Sequence, residues 1–200
     1  LLRALLGLIP AVHGNISLEA TKIAYVPQRL PAVSGIPISV SESVATGLLD
    51  GSINLFKKNQ SKQRIAQVLS MLEISSLAKK SLSQLSGGQL RKVMIAKALV
   101  SNPDLLLLDE PTSGLDQNSQ SQLIKTLTNL KNEKVTIVLV THELGIFTDL
   151  VDTAIVLDRN AKNNISYMGK LPIPISLDPE SHHSEELKSK VDESVLGLNS

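Results

Sequence analysis

A few short groups of residues in this sequence have types and spacings that could do chemistry. The first is Leu85-Ser86-Gly87-Gly88-Gln89, where two adjacent glycines free the backbone to approach a ligand closely at the point where a helix begins. Unpaired N–H groups and the positive end of the helix dipole favour a phosphate there, and Ser86 adds a hydroxyl donor. The second is Asp109-Glu110, which follows the run Leu105 to Leu108 without a break and precedes Pro111. Adjacent acids at a strand end can divide labour: one holds a hard divalent cation, usually through water, and the other orients or deprotonates an attacking water. The third is Thr141-His142, just past the apolar run Val135 to Val140.

The elements that must position these groups are strands and helices of an α/β domain. Leu105 to Leu108, bounded by Pro103 and Pro111, has the pattern of a strand buried on both faces, as in a parallel sheet. Ligands bind at the C-terminal ends of such strands, so the acids are delivered to a crevice, and His142 stands at the same edge past a second apolar strand. A helix from Gln89 through about Val100 is expected, with Leu90, Val93, Met94, Ala98 and Leu99 inward and Arg91, Lys92 and Lys97 outward. Asp116 is expected to cap the next helix, which carries Leu123, Ile124, Leu127 and Leu130.

In order, LSGGQ, then LLLLDEPTSGLD, then Val140-Thr141-His142 resembles the signature, Walker B, D-loop and switch-histidine series of ABC-type ATPases. The resemblance extends from Leu1 to about Gly169. It implies a P-loop NTPase-like α/β fold: a mostly parallel sheet with helices on both faces and an inserted helical subdomain. It further implies a partial nucleotide-binding domain over 1–169, with the helical subdomain at about 29–100, and a loose tail over 170–200. The phosphate loop GxxxxGK[ST] does not occur; Gly169-Lys170 is followed by Leu171 and has Asn164 where the first glycine belongs. The expectation is therefore a chain truncated before or within the Walker A region, which alone binds ATP weakly.

By resemblance, Glu110 is the base or water-positioner, Asp109 a magnesium ligand, and Gln28 the glutamine that touches the magnesium shell or the attacking water. His142 contacts the terminal phosphate. Ser86, Gly87, Gly88 and Gln89 cap the nucleotide of a partner in a head-to-tail dimer, with Asp116 at the seam. ATP and Mg2+ are the implied ligands. The implied partners are a second ABC subunit, integral membrane permeases and, in an importer, a substrate-binding protein, placing the protein at the cytoplasmic face of a membrane. The alternative is a non-transport ABC factor or a signature-donating subunit with no catalytic site of its own.

The remaining sequence narrows the subfamily. Net charge is +1, aromatic content is 2% and there is no cysteine, so a nucleic-acid footprint, base-stacking platforms and thiolate metal sites are excluded. No apolar run reaches the ~18 residues of a membrane span. Leu1, Leu2, Leu5, Leu6, Leu8 and Ile9 form an amphipathic helical pattern, and Lys22 to Val26 a strand ending at Pro27-Gln28. Arg29 to Pro37 has the composition of a loop, Ser41 is expected to cap a helix through Ala45, and Ser61 to Glu73 is expected to form another, facing inward with Ile65, Val68, Leu69 and Leu72. Lys57, Lys58, Lys62 and Arg64 are expected to form a solvated face.

This compact insert between Gln28 and Leu85 has no sustained heptads, unlike the long coiled coils of chromosome-organising ATPases. Pro37 to Val44, with Gly47 after it, is similar to the corresponding segment of zinc and manganese importer ATPases; siderophore importers carry a related one. Further along, Glu143 to Leu150 is expected as a short helix, Thr153 to Leu157 as a strand, and Asn164 to Met168 as a last edge strand. His182 and His183, beside Asp178, Glu180, Glu185 and Glu186, are either solvated tail residues or transition-metal ligands.

Overall fold

A computed structural model describes residues 1–30, 37–48, 58–157 and 165–171, divided into two compact units, Leu1–Thr141 and His142–Ser200. The first unit is built on a parallel sheet in the order β1 (Ile23–Val26), β2 (Leu105–Asp109), β3 (Thr136–Val140). Leu105 pairs with Ile23 on one side and Thr136 on the other, and the register runs on to Asp109 opposite Val140. With a neighbour on each edge, β2 buries all of Leu105, Leu106, Leu107 and Leu108. An unbroken leucine run is the composition that such a position requires.

The pleat sends alternate leucines to opposite faces. Leu105 and Leu107 pack with Leu2 of α1 (Leu2–Leu5), and Leu5, Leu6, Tyr25 and Val138 close around them. Ala24 and Val26, in register with Leu106 and Leu108, bury the other face. β3 differs from the expected buried strand: Thr136 and Val140 are exposed and the rest half-buried. Among the described residues β2 covers one edge of β3 and no strand pairs with the other. α1 is also shorter than its apolar pattern, because Gly7 turns left-handed at φ 68° while Leu8 and Ile9 stay exposed.

α2 (Val40–Ala45), α3 (Lys58–Met71) and α4 (Gly87–Leu99) pack on one another, and α4 also meets β1. The cap of α2 is Ser39, two residues before the expected Ser41. Ser39 Oγ accepts from Glu42 N (3.3 Å) while Glu42 Oε2 accepts from Ser39 N (2.8 Å), a reciprocal box that only this serine can close with Glu42. α3 starts before Ser61, and its Val68 and Leu69, with Leu72 just beyond, are buried as expected. Arg64 does not belong to a solvated face. Its guanidinium donates to the Leu99 carbonyl (2.8 Å) at the end of α4 and to Gln67 (2.9 Å), and burial lowers its pKa. A cation is favourable at the carbonyl end of a helix, and its apolar stem tolerates burial. Lys57 and most of the Arg29 to Pro37 loop lie outside the described residues.

α5 (Gln117–Asn132) is capped by Asp116, whose Oδ1 accepts from Ser119 N (2.8 Å), and it buries Leu123, Leu127 and Leu130. In the second unit the expected helix after Glu143 is a single 3-10 turn, Gly145–Phe147. β4 (Ala154–Leu157) and β5 (Ile165–Gly169) pair antiparallel as a two-stranded sheet, in which β5 is an edge strand as expected. The tail from residue 172, with His182 and His183, lies outside the described residues.

Asp104 fastens the starts of β1 and β2 together. Its Oδ2 accepts from Thr21 Oγ1 (2.6 Å), Lys22 N (3.0 Å) and Thr21 N (3.1 Å). The Thr21 hydroxyl, then the Lys22 amide, hold its pKa below the usual carboxylate value, so its contribution is present above that value and lost as pH falls through the folded one. A neutral amide accepts more weakly. Asp104→Asn is expected to lower the melting temperature at pH 7 and to flatten its decline below about pH 4, as measured by thermal melts across pH.

Candidate functional site

The start of α4 is built by a reciprocal cap. Ser86 Oγ accepts from Gln89 N (3.3 Å) and Gln89 Oε1 accepts from Ser86 N (3.2 Å). The cap engages the Gln89 amide and carbonyl oxygen, whereas a first-turn helix leaves the Gly87 and Gly88 N–H groups without intrahelical acceptors. The Ser86 hydroxyl proton can still be donated outward. The two glycines differ in purpose. A Cβ on exposed Gly87 would meet nothing within 4 Å, while one on Gly88 would lie 3.1 Å from the Gly114 carbonyl. Gly88 therefore packs closely against the turn that follows the acid pair, while the position of a side chain on Gly87 is open.

The acids stand at the C-terminal end of β2, both half-buried. Tyr25, on the same face of the sheet, donates its hydroxyl to Asp109 Oδ2 (3.4 Å). Burial, followed by the Asp109 charge, raises the Tyr25 pKa, so the phenol stays protonated. Glu110 leaves the strand in the left-handed region at φ 49°. Its N–H donates to the Val140 carbonyl (2.9 Å) and its carbonyl accepts from Ser113 N (3.2 Å). Such a conformation costs a non-glycine residue about 1 kcal/mol or more and persists where neighbouring bonds fix it.

Gln28 is exposed just beyond β1. Asp116 is exposed, and its carboxylate is committed to the α5 cap, where the Ser119 N–H lowers its pKa. His142 is exposed at the first position of the second unit. The described residues hold no group of three or more His, Asp or Glu arranged for a metal. The Asp109 carboxylate and the Gln28 amide each carry hard oxygen donors of the kind magnesium takes beside waters and phosphate oxygens.

Arg91 was expected to point outward and is instead 2% exposed. Its Nη1 donates to the Pro27 carbonyl (2.6 Å) and its Nη2 to the Gln28 carbonyl (2.5 Å), and its buried Nε has no partner. Burial lowers its pKa, opposed by the nearby charges of Asp109 and Glu110. A helical-wheel signal was available: Arg91, Ile95 and Ala98 fall at i, i+4 and i+7, and the latter two are buried.

A family model described as ABC transporter matches residues 1–113, a span that takes in Gln28, the LSGGQ helix and both acids. The chain belongs to the ABC transporter ATP-binding family. A zinc import ATP-binding protein of Pasteurella multocida is 36% identical over 185 residues, which is 92% of this chain and 65% of that protein. Among solved structures, an ABC transporter assigned to the metal-chelate type, in an inward-facing conformation, superposes with TM-score 0.72 at 32% identity, covering 84% of this chain and 65% of that one. A bacterial ABC transporter cassette solved as a dimer gives TM-score 0.63 at 28% identity over 76% of this chain and 64% of that one. The chain thus spans about two thirds of the length of the ABC proteins it matches.

The two glycines of this ABC signature are separable by stability. Gly87→Ala is expected to leave stability unchanged or raise it by up to about 1 kcal/mol, since alanine is the better helix residue and has room. Gly88→Ala is expected to lower it, because the Gly114 carbonyl must give way. Denaturant unfolding of the full-length protein compares the two.

Proposed function

We propose that the full-length protein is the ATP-hydrolysing subunit of an ABC importer for a divalent transition metal, zinc or manganese. It would act at the cytoplasmic face of a membrane on integral permease subunits, supplied by a substrate-binding protein. The observation that carries the enzymatic part is the Asp109-Glu110 pair at the end of a buried central parallel strand, with an unobstructed Gly87 helix start in the same chain. Likeness to the Pasteurella zinc import subunit and to the metal-chelate type transporter supports the cargo, as does the Pro37 to Val44 segment. No observation favours a non-transport role.

The start of α4 offers N–H donors but no lysine and no magnesium ligand, so it can complete a phosphate cage and cannot build one. It therefore suits capping a nucleotide held by the phosphate loop of a second copy, and the dimeric cassette of similar fold supports that pairing. In the closed pair, Glu110 would orient a water for in-line attack on the γ-phosphorus and take its proton as the new P–O bond forms. The bond to the bridging oxygen breaks, and ADP leaves with that electron pair. Magnesium, held by Asp109 with the Gln28 amide in its shell, would neutralise charge on the phosphate oxygens. The Ser86 hydroxyl, the Gly87 and Gly88 N–H groups and His142 would stabilise the γ-phosphoryl group, with Gln89 closing the cap and Asp116 facing the partner.

Glu110→Gln is expected to keep ATP affinity while lowering turnover by about 100-fold or more, and to accumulate an ATP-bound dimer on size exclusion. Turnover at the wild-type rate contradicts the assignment. In the Glu110→Gln background, Gly87→Ala is expected to weaken the ATP-dependent dimer without loss of stability.

A further inference from the structure

We propose that Arg91 is a positioning residue: from inside α4 it holds the chain at Pro27 and Gln28 in the turn that aims the Gln28 side chain, joining the signature helix to the hydrolytic site of the same subunit. The inference rests on the ATPase reading for what Gln28 does there, and on geometry for the rest.

In an extended strand, successive carbonyls point to opposite sides. Here one guanidinium takes both the Pro27 and the Gln28 carbonyl, at 2.6 and 2.5 Å. The two oxygens must therefore point the same way, which requires the chain to leave the extended conformation on passing from β1 into this loop. The fork fixes the peptide planes around Gln28 and leaves its side chain exposed. A lysine also has several N–H donors, but on one freely rotating ammonium, so it lacks the rigid planar fork that sets the directions of both bonds.

The cost of the arrangement points the same way. Arg91 is almost fully buried, its Nε has no partner, and its acceptors are neutral carbonyls rather than a carboxylate. A merely structural contact between α4 and β1 could be apolar, and replacing buried charge by hydrophobic packing is often neutral or stabilising. Arg91 lies one helical turn beyond the Ser86–Gly88 start and near Asp109 and Glu110. A shift of the helix start as it engages the partner's nucleotide would carry the fork, and with it Gln28, along a chain of direct contacts.

The test uses full-length protein. Arg91→Lys keeps the charge and removes the fork. It is expected to lower kcat for ATP hydrolysis about 10-fold with KM within about 2-fold. In a Gln28→Ala background the same change is expected to lower kcat by less than about 2-fold, because the residue it positions is gone. Wild-type kcat in Arg91→Lys, or an equal loss in both backgrounds, overturns the proposal. A measurement without variants covers a failure to fold: 15N-resolved spectra of wild-type arginine side chains should show separate, slowly exchanging Nη protons for Arg91, and a single averaged signal overturns the clamp. If wild-type protein does not hydrolyse ATP, the ATPase reading falls, and the Nη signals still decide the clamp.

Discussion

The burial of β2 on both faces is the constraint from which the site follows. Leu105 to Leu108 are buried in the middle of a parallel sheet. At about 1.5–3 kcal/mol for each fully buried leucine, the run outweighs the ~1–3 kcal/mol that a left-handed glutamate costs at its end. The strand cannot slip by one residue without changing which leucines meet Leu2 and which meet the opposite face. Asp109 and Glu110 are thereby held at the sheet's C-terminal edge, where Tyr25 and the Val140 carbonyl secure them.

The helix α4 belongs to the same compact unit as this strand and meets the chain around the site at identifiable points. Gly88 lets the helix start approach the Gly114 carbonyl, and Arg91 grips the chain where β1 ends. A side chain on Gly87 would meet open space, whereas one on Gly88 would crowd the Gly114 carbonyl. Close packing thus sets one glycine apart from the other, a division hidden by their adjacency in the sequence.

Elements with a strong local pattern were legible from the sequence. The leucine run, the Lys22 to Val26 strand and the Asp116 cap all appear close to where periodicity and capping chemistry put them. What was not legible depended on tertiary partners. Arg64 and Arg91 look like surface charges until the carbonyls they hold, 35 residues away for Arg64 and 63 and 64 for Arg91, are known. The half-burial of β3 follows from its neighbours in the sheet, and the partner of the edge strand β5, paired antiparallel with β4, is not carried by composition. Ser39 was within reach, because Ser39 and Glu42 have the spacing of a capping box, which Ser41 lacks.

The central claim is that the acid pair and the glycine-started helix of one chain serve different nucleotides. Heterodimers carrying one damaging substitution at each locus test it most directly. With Glu110→Gln in one copy and Ser86→Arg in the other, both defects fall on one composite site and the second site stays intact, so ATP hydrolysis should persist. With both substitutions in the same copy beside a wild-type partner, each composite site carries one defect and hydrolysis should be lost. The reverse pattern, activity when both changes share a copy and none when they are split, would mean that each chain completes its own site, and the account would be wrong.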